Sequence, residues 1–302
     1  MPPTGDTGDP VHPPRIGAYV LAADPTWLTA SVRRYYDLVD VLLVVASADD
    51  TGWTGAPVAA GRCVELLRDD DPRGIVRVLL GHWVAPGDPM RAETAQRQAA
   101  LDELRDVDWV LQLDGDEVLP SVEALTTVLR AADREGIGVV EWPMRVLYRR
   151  RRDGSYLEIA NRDGSPHLEY PGPIAVRSGT RLSHARRTDA PFLRVVAEGD
   201  QLSTQVARAP EPGEHRHAGL PLSQVVVHNS WARSPRSVRA KLASWGHHSG
   251  WRTSAYFVTH WLPSRWTWRV LRDLHPLYPA SWPRLTPTDV DVEALVARGD
   301  RR

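Results

Sequence analysis

Near the middle of the chain, Asp114-Gly115-Asp116-Glu117 sets three carboxylates within four residues. Two carboxylates separated by one small residue can converge on a hard divalent cation. Mg²⁺ and Mn²⁺ prefer oxygen ligands and keep positions open for substrate phosphates. Gly115 would let the backbone turn sharply, so that Asp114 and Asp116 face one space. An acidic triplet also suits the start of a helix, where it complements the dipole, and the triplet alone leaves both readings open. Far downstream, His228 closes the apolar run at 225–227. A neutral ring nitrogen there can serve as a further metal ligand, or the residue can be an ordinary strand-end histidine. Lys241 is the only lysine in the chain. A compact ammonium differs from a guanidinium and suits a phosphate or a sugar hydroxyl, although a lone lysine also arises by chance. His247 and His248 are neighbours in sequence and would point to different sides of a helix.

These groups need a frame. Apolar runs at 16–23, 40–46, 74–80 and 108–113 read as strands buried on both faces, with a further strand over 138–148. Amphipathic spacing predicts helices over 25–39, 55–69, 89–107 and 120–134. Strands alternating with helices imply an α/β fold with a mostly parallel, Rossmann-like sheet and flanking helices, and such sheets bind ligands at the carboxyl ends of their strands. The residues at those ends include Asp24, Asp49, Asp50, His82 and Asp114–Glu117, and the four aspartates Asp24, Asp49, Asp50 and Asp114 point to a polar, metal-bound substrate. From 149 onward two Asp-Gly turns and short β-prone pieces predict antiparallel hairpins. The region 223–231 reads as a last strand, 234–250 as a helix closed by Gly250, and 251–283 as helical. The expected division is a leader over 1–14, a catalytic domain over 15–230 and a Trp-rich helical segment over 231–302.

With its strands IGAYVLAA and VLLVVASADD, its helix ETAQRQAALDEL and its strand-borne DWVLQLDGDEVLP, the chain resembles a family 2 glycosyltransferase of the GT-A type over about residues 15–150. The resemblance implies that Asp114 and Asp116 hold a divalent metal on the diphosphate of a nucleotide-sugar, with His228 as a further ligand. It implies that Asp49 or Asp50 meets the nucleoside base and that Arg97 faces the nucleotide. Asp24 and Lys241 complete the expected donor contacts. Ala22-Ala23-Asp24 stands where the family has an asparagine after the first strand, and Gln98 stands where asparagine is commoner. The implied activity is metal-dependent transfer of a sugar to a hydroxyl acceptor on a glycan or small molecule. A sugar nucleotidyltransferase is a second reading, disfavoured because 22–28 lacks a Gly-rich basic loop. A non-catalytic nucleotide- or glycan-binding protein is a third.

An inverting transfer needs a base beside the acceptor hydroxyl. Glu169 and Asp189 are the leading candidates, with Glu141 and Glu198 behind them, while a retaining route needs no such base. Seven of the 12 tryptophans fall between Trp231 and Trp282. They suit sugar stacking, the packing of a helical subdomain, or peripheral contact with a membrane surface. The remaining composition mainly excludes. One cysteine, Cys63, rules out a disulfide framework and a Cys-based zinc site. A net charge of −1 gives no global field for nucleic acid. The N-terminal stretch has no signal-peptide pattern, and a cytoplasmic location is expected.

Overall fold

The computed structural model describes residues 14–244 and 251–297. The expected leader thus lies, save for Pro14, outside the described residues, as do His247, His248 and Gly250. The first half alternates as the periodicity requires: β1 (Ile16–Ala22), α1 (Leu28–Arg33), β2 (Val41–Ser47), α2 (Ala60–Asp69), β3 (Val76–Gly81), α3 (Pro89–Glu103) and β4 (Trp109–Leu111). Next come β5 (Glu117–Val118), α4 (Val122–Glu135), β6 (Val139–Glu141), β7 (Met144–Arg150), β8 (Tyr156–Ala160), β9 (Leu168–Glu169) and β10 (Pro173–Arg177). The chain continues through β11 (Phe192–Ala197), α5 (Thr204–Ala207), β12 (Glu214–Leu220), β13 (Val226–His228), α6 (Pro235–Ser244), α7 (Trp251–Tyr256), α8 (Ser264–Thr267), β14 (Arg284–Pro287) and α9 (Val292–Ala297).

Two sheets result. The larger runs β12-β11-β6-β10-β4-β1-β2-β3. Only β10 is antiparallel to its neighbours; every other pairing in it is parallel. Its inner strands β1, β2 and β4 are buried on both faces because helices cover both. Leu42 and Val44 pack with α1, α2 and α4 residues such as Val32, Leu67 and Val128. Tyr19, Leu43 and Val45 pack with Ala100 and Leu101 of α3 and with Leu104 just beyond it. This is the mostly parallel, helix-flanked α/β architecture expected from the alternation.

The smaller sheet runs β14-β8-β7-β13-β5, with β9 also on β7. The strand expected over 138–148 is two strands, one in each sheet. Pro143 stands between them with no N–H to give to a ladder, while its carbonyl accepts from Val226 N at 3.1 Å and so starts the pairing of β7 with β13. The Asp-Gly hairpin turns form as expected, with Gly154 at φ +87° between β7 and β8. The C-terminal segment is only partly helical. β14 returns to pair with β8, and Arg284–Pro287 carries no alternation strong enough to announce it. Trp231, Trp261 and Trp282 lie buried in one cluster with Tyr148 and Tyr256, whereas Trp251 and Trp266 are 75% and 71% exposed. No helix among the described residues is long and apolar enough to cross a membrane.

A buried ion pair joins the two hairpin strands of the smaller sheet. Arg145 donates to Glu158 from Nε at 2.8 Å and from Nη2 at 2.6 Å, and it also pairs with Asp289 beyond β14. Removing one partner of such a pair leaves an uncompensated buried charge. Arg145→Met should therefore cost about 3–5 kcal/mol. Adding Glu158→Leu should recover most of that loss in urea unfolding.

Candidate active site

The Asp114–Glu117 span crosses from one sheet to the other. Asp114 follows β4 in the larger sheet, and Glu117 opens β5 in the smaller. The turn closes on itself: Glu117 N donates to Asp114 O at 2.9 Å, and Asp114 N donates to Glu117 Oε2 at 3.0 Å. A strand separates the acids from α4, whose N-cap is Ser121, its Oγ accepting from Ala124 N at 3.1 Å. The acids are therefore not the cap of that helix. Gly115 does not have a positive φ, so the sharp turn expected of it is not its role. A Cβ there would sit 2.9 Å from Leu28 Cδ1, in a side chain that is completely buried. Gly115 allows the turn to lie against α1.

The span forms the floor of a cleft of about 1050 Å³ at the carboxyl ends of β1, β2 and β4. Each acid is held by fixed cations. Arg97 of α3 reaches both Asp114 oxygens, at 3.0 and 3.1 Å. Arg186 donates to Asp114 Oδ2 at 2.7 Å and forks onto Glu117 at 2.6 and 3.0 Å. Burial opposes ionisation of Asp114, but Arg97 and Arg186 outweigh it and hold the carboxyl at about 2. Gly172 makes room for Arg186, since a Cβ there would lie 2.8 Å from the Arg186 Cγ.

Asp116 meets a second group of cations. Its Oδ2 accepts from Lys241 Nζ at 3.2 Å and from Arg233, and His228 Nε2 stands 3.5 Å away. Burial again opposes ionisation, and Lys241, His228 and Arg233 overcome it, so the carboxyl lies well below the usual range. Arg233 is fully engaged, with Nη1 on Asp24, Nη2 on Asp116 and Nε on the Asn229 carbonyl at 2.9 Å. Lys241 also donates to Ser230 Oγ at 2.9 Å. Burial lowers its ammonium, against the pull of Asp116.

The donor set does not fit a divalent metal. Asp116 and His228 are close enough to share an ion. Yet no three His, Cys, Asp or Glu side chains among the described residues form a metal-holding group. Asp114 is committed to two arginines. The space beside Asp116 holds an ammonium and a guanidinium. A divalent charge about 5 Å from one unit charge is repelled by roughly 7 kcal/mol at an effective dielectric of about 20.

The other sequence candidates separate cleanly. Asp24 and Arg97 line the cleft; Asp49 and Asp50 do not. Asp49 is exposed and bonded to Ser47 Oγ at 2.7 Å, and Asp50 accepts from Gly61 N at 2.8 Å in the first turn of α2. The loop after β2 instead offers Trp53, held through its indole N–H to Gln96 at 2.7 Å, and Trp83 beyond β3 lines the same cleft. Among the four base candidates only Glu169 lines the cleft. Asp189 and Glu198 are exposed away from it. Glu141 is buried beside Arg194 at 2.9 Å, and burial still pushes its carboxyl up to about 7. Glu169 accepts from the Trp282 indole, and burial raises its carboxyl, outweighing that bond and His228. Sequence reasoning missed Arg186 and Arg233. Both come from loops and are two among many arginines, so neither residue type nor spacing marks them.

The fold and cleft define an α/β protein with a charged strand-end site. No protein-family description matches the chain, and no curated protein does. Solved structures overlap it only in part. Mannose-6-phosphate isomerase from Helicobacter pylori is 14% identical with a TM-score of 0.30, over 50% of this chain and 57% of that one. CMP:2-keto-3-deoxy-manno-octonic acid synthetase, complexed with CTP, is 10% identical with a TM-score of 0.31, over 54% and 74%. UDP-glucose pyrophosphorylase, complexed with UDP-glucose, is 10% identical with a TM-score of 0.28, over 72% and 92%. Overlap of that size has no bearing on the chemistry of the cleft.

Gly115→Ala should force Leu28 or the turn to move, at a cost of about 1–3 kcal/mol. Thermal unfolding measures that loss, and an unchanged midpoint would show that the contact yields freely.

Proposed function

We propose that the chain is a glycosyltransferase that moves a sugar from a nucleoside-diphosphate donor to a hydroxyl acceptor. The observation that carries this reading is that one cleft is lined by two kinds of group. The first is Arg97, Arg233 and Lys241 around the strand-end acids, with Trp53 in the same lining. The second is Glu169, with no cation paired to it among the described residues, bonded to Trp282 of the C-terminal segment. The first suits a diphosphate, with an indole for the base. The second suits a hydroxyl that must lose a proton.

In the transfer, the acceptor oxygen bonds to the anomeric carbon as the bond from that carbon to the diphosphate oxygen breaks. The electron pair leaves with the nucleoside diphosphate, and the hydroxyl proton passes to Glu169. Substitution from the opposite face inverts the anomeric centre. Donors fixed before the reaction stabilise the leaving charge without reorganising. Asp116 holds Lys241 and Arg233 in place. Trp282 aims the Glu169 carboxylate and offers an aromatic wall to the acceptor.

A sugar nucleotidyltransferase remains the competing reading. Incubation with a panel of nucleotide-sugars separates the two: release of nucleoside diphosphate supports transfer. Release of pyrophosphate from a nucleoside triphosphate and a sugar phosphate would overturn it. Asp116→Asn should lower turnover by about 100-fold or more while the circular dichroism spectrum stays unchanged. Glu169→Gln should lower kcat by about 10²–10⁴-fold with donor affinity kept. The base acts as a carboxylate, so activity should fall as pH drops through its raised pKa. That acid limb lies above the ordinary glutamate value of about 4.3 and should vanish in Glu169→Gln.

A further inference from the structure

We propose that the cleft holds its nucleotide's diphosphate on protein cations, with Lys241 and Arg233 standing where a divalent metal would act, so that binding and transfer need no metal. This rests on the glycosyl-transfer reading of the same cleft and deepens it.

Three observations carry the inference. First, the carboxylate best placed to ligate a metal is already compensated. Asp116 Oδ2 takes Lys241 at 3.2 Å together with Arg233, and Arg233 ties the ends of β1 and β13 to the Asp116 turn through all three of its nitrogens. Expelling it would strand a side chain that is 4% exposed and would also unpair Asp24. Second, the cleft keeps donors in reserve. Arg97 is 2% exposed, and its Nη1 has no hydrogen-bond partner although the residue lines the cleft. Arg236, near the start of α6, lines the same cleft, exposed and with no ion pair among the described residues. A buried guanidinium nitrogen without a partner, on a residue that lines a cleft, is a donor for which an anion supplies the missing acceptor. Third, the acids of the lining, with Glu117 beneath Arg186, are fully matched by cations, so the cleft carries no net negative charge to repel an anion. The lining contains Arg97, Arg186, Arg187, Arg233, Arg236 and Lys241 against Asp24, Glu93, Asp114, Asp116 and Glu169.

The chemistry is consistent with this. As the anomeric C–O bond breaks, one negative charge builds on the departing diphosphate. Fixed ammonium and guanidinium donors stabilise it, as a bound metal does elsewhere. Lys241 is the compact point charge of the pair, in a chain that otherwise uses arginine for its basic residues.

The test uses the full chain and calorimetric titration with UDP and GDP, each in EDTA and in Mn²⁺, together with Mn²⁺ alone. The expected result is that at least one nucleotide binds in EDTA, with an affinity that Mn²⁺ changes less than about threefold, and that Mn²⁺ alone shows no micromolar binding. Lys241→Met should weaken that nucleotide about 10- to 100-fold in both buffers. Arg236→Ala, a surface change that leaves the fold intact, should weaken it by a smaller factor. A nucleotide that binds only with Mn²⁺, or micromolar Mn²⁺ binding to the free protein, would overturn the metal-free site while leaving glycosyl transfer standing. Failure of both nucleotides in both buffers would overturn the glycosyl-transfer reading and this inference with it.

Discussion

The ion-pair lattice around Asp114–Glu117 is the constraint on which the rest of the cleft depends. Four residues cross between two sheets and carry three carboxylates, two of them largely shielded and one completely buried. Such a turn is costly unless each charge is paired. The pairing comes from every side: Arg97 from α3, Arg186 from the loop after β10, Arg233 from the loop after β13 and Lys241 from α6. Elements 17 to 125 residues apart in sequence are thus drawn to one point. Losing one member would leave a charge facing its like, so the lattice acts as a unit rather than as a sum of contacts.

The two-sheet design follows from the same need. One parallel sheet can present strand-end groups along a single line. A second sheet set against that line adds Glu117, Glu169 and His228 from three short strands, β5, β9 and β13. Pro143 makes this possible by ending β6 and releasing the chain into β7. Pairing then fixes the order of the strands, because His228 lies opposite Glu117 and Glu169 opposite Met144. The backbone of Asn229 completes the arrangement by donating to the Asp116 carbonyl at 2.8 Å.

Much of this was legible in the residues. Apolar runs with helical spacing between them revealed β1 to β4 and their helices, since strands buried on both faces leave a strong, local signal. The acidic turn was visible because carboxylates at a strand end are conspicuous, and Glu169, Arg97, Asp24 and Lys241 all proved to face one cleft. What the sequence concealed is nonlocal. The break at Pro143 reads as a single strand because Val139–Glu141 and Met144–Arg150 are both apolar enough to continue it. β11, β12 and β14 owe their pairing to distant neighbours. Arg186 and Arg233 look like any other arginine until the loops that carry them close on Asp114 and Asp116. The placing of Asp49 outside the cleft has the same origin: an acid after a strand faces the site only if its loop turns inward, and Ser47 holds this one at the surface.

A single lysine in a chain of arginines carries weight once its surroundings are known. Arginine spreads its charge over a plane and is the better partner for a fixed carboxylate fork, as Arg186 on Glu117 illustrates. A site that must meet charge as it develops on a leaving oxygen gains more from a small ion with rotatable donors. Lys241 is anchored through Ser230 and Asp116, so on the proposed reading it need not be ordered when a donor arrives. Its ammonium lies in a partly shielded cleft, where each unit of charge counts for more than in water. Burial lowers the ammonium's pKa, and a phosphate beside it would raise it again. On the proposed reading, a bound diphosphate would therefore favour the charged form of Lys241.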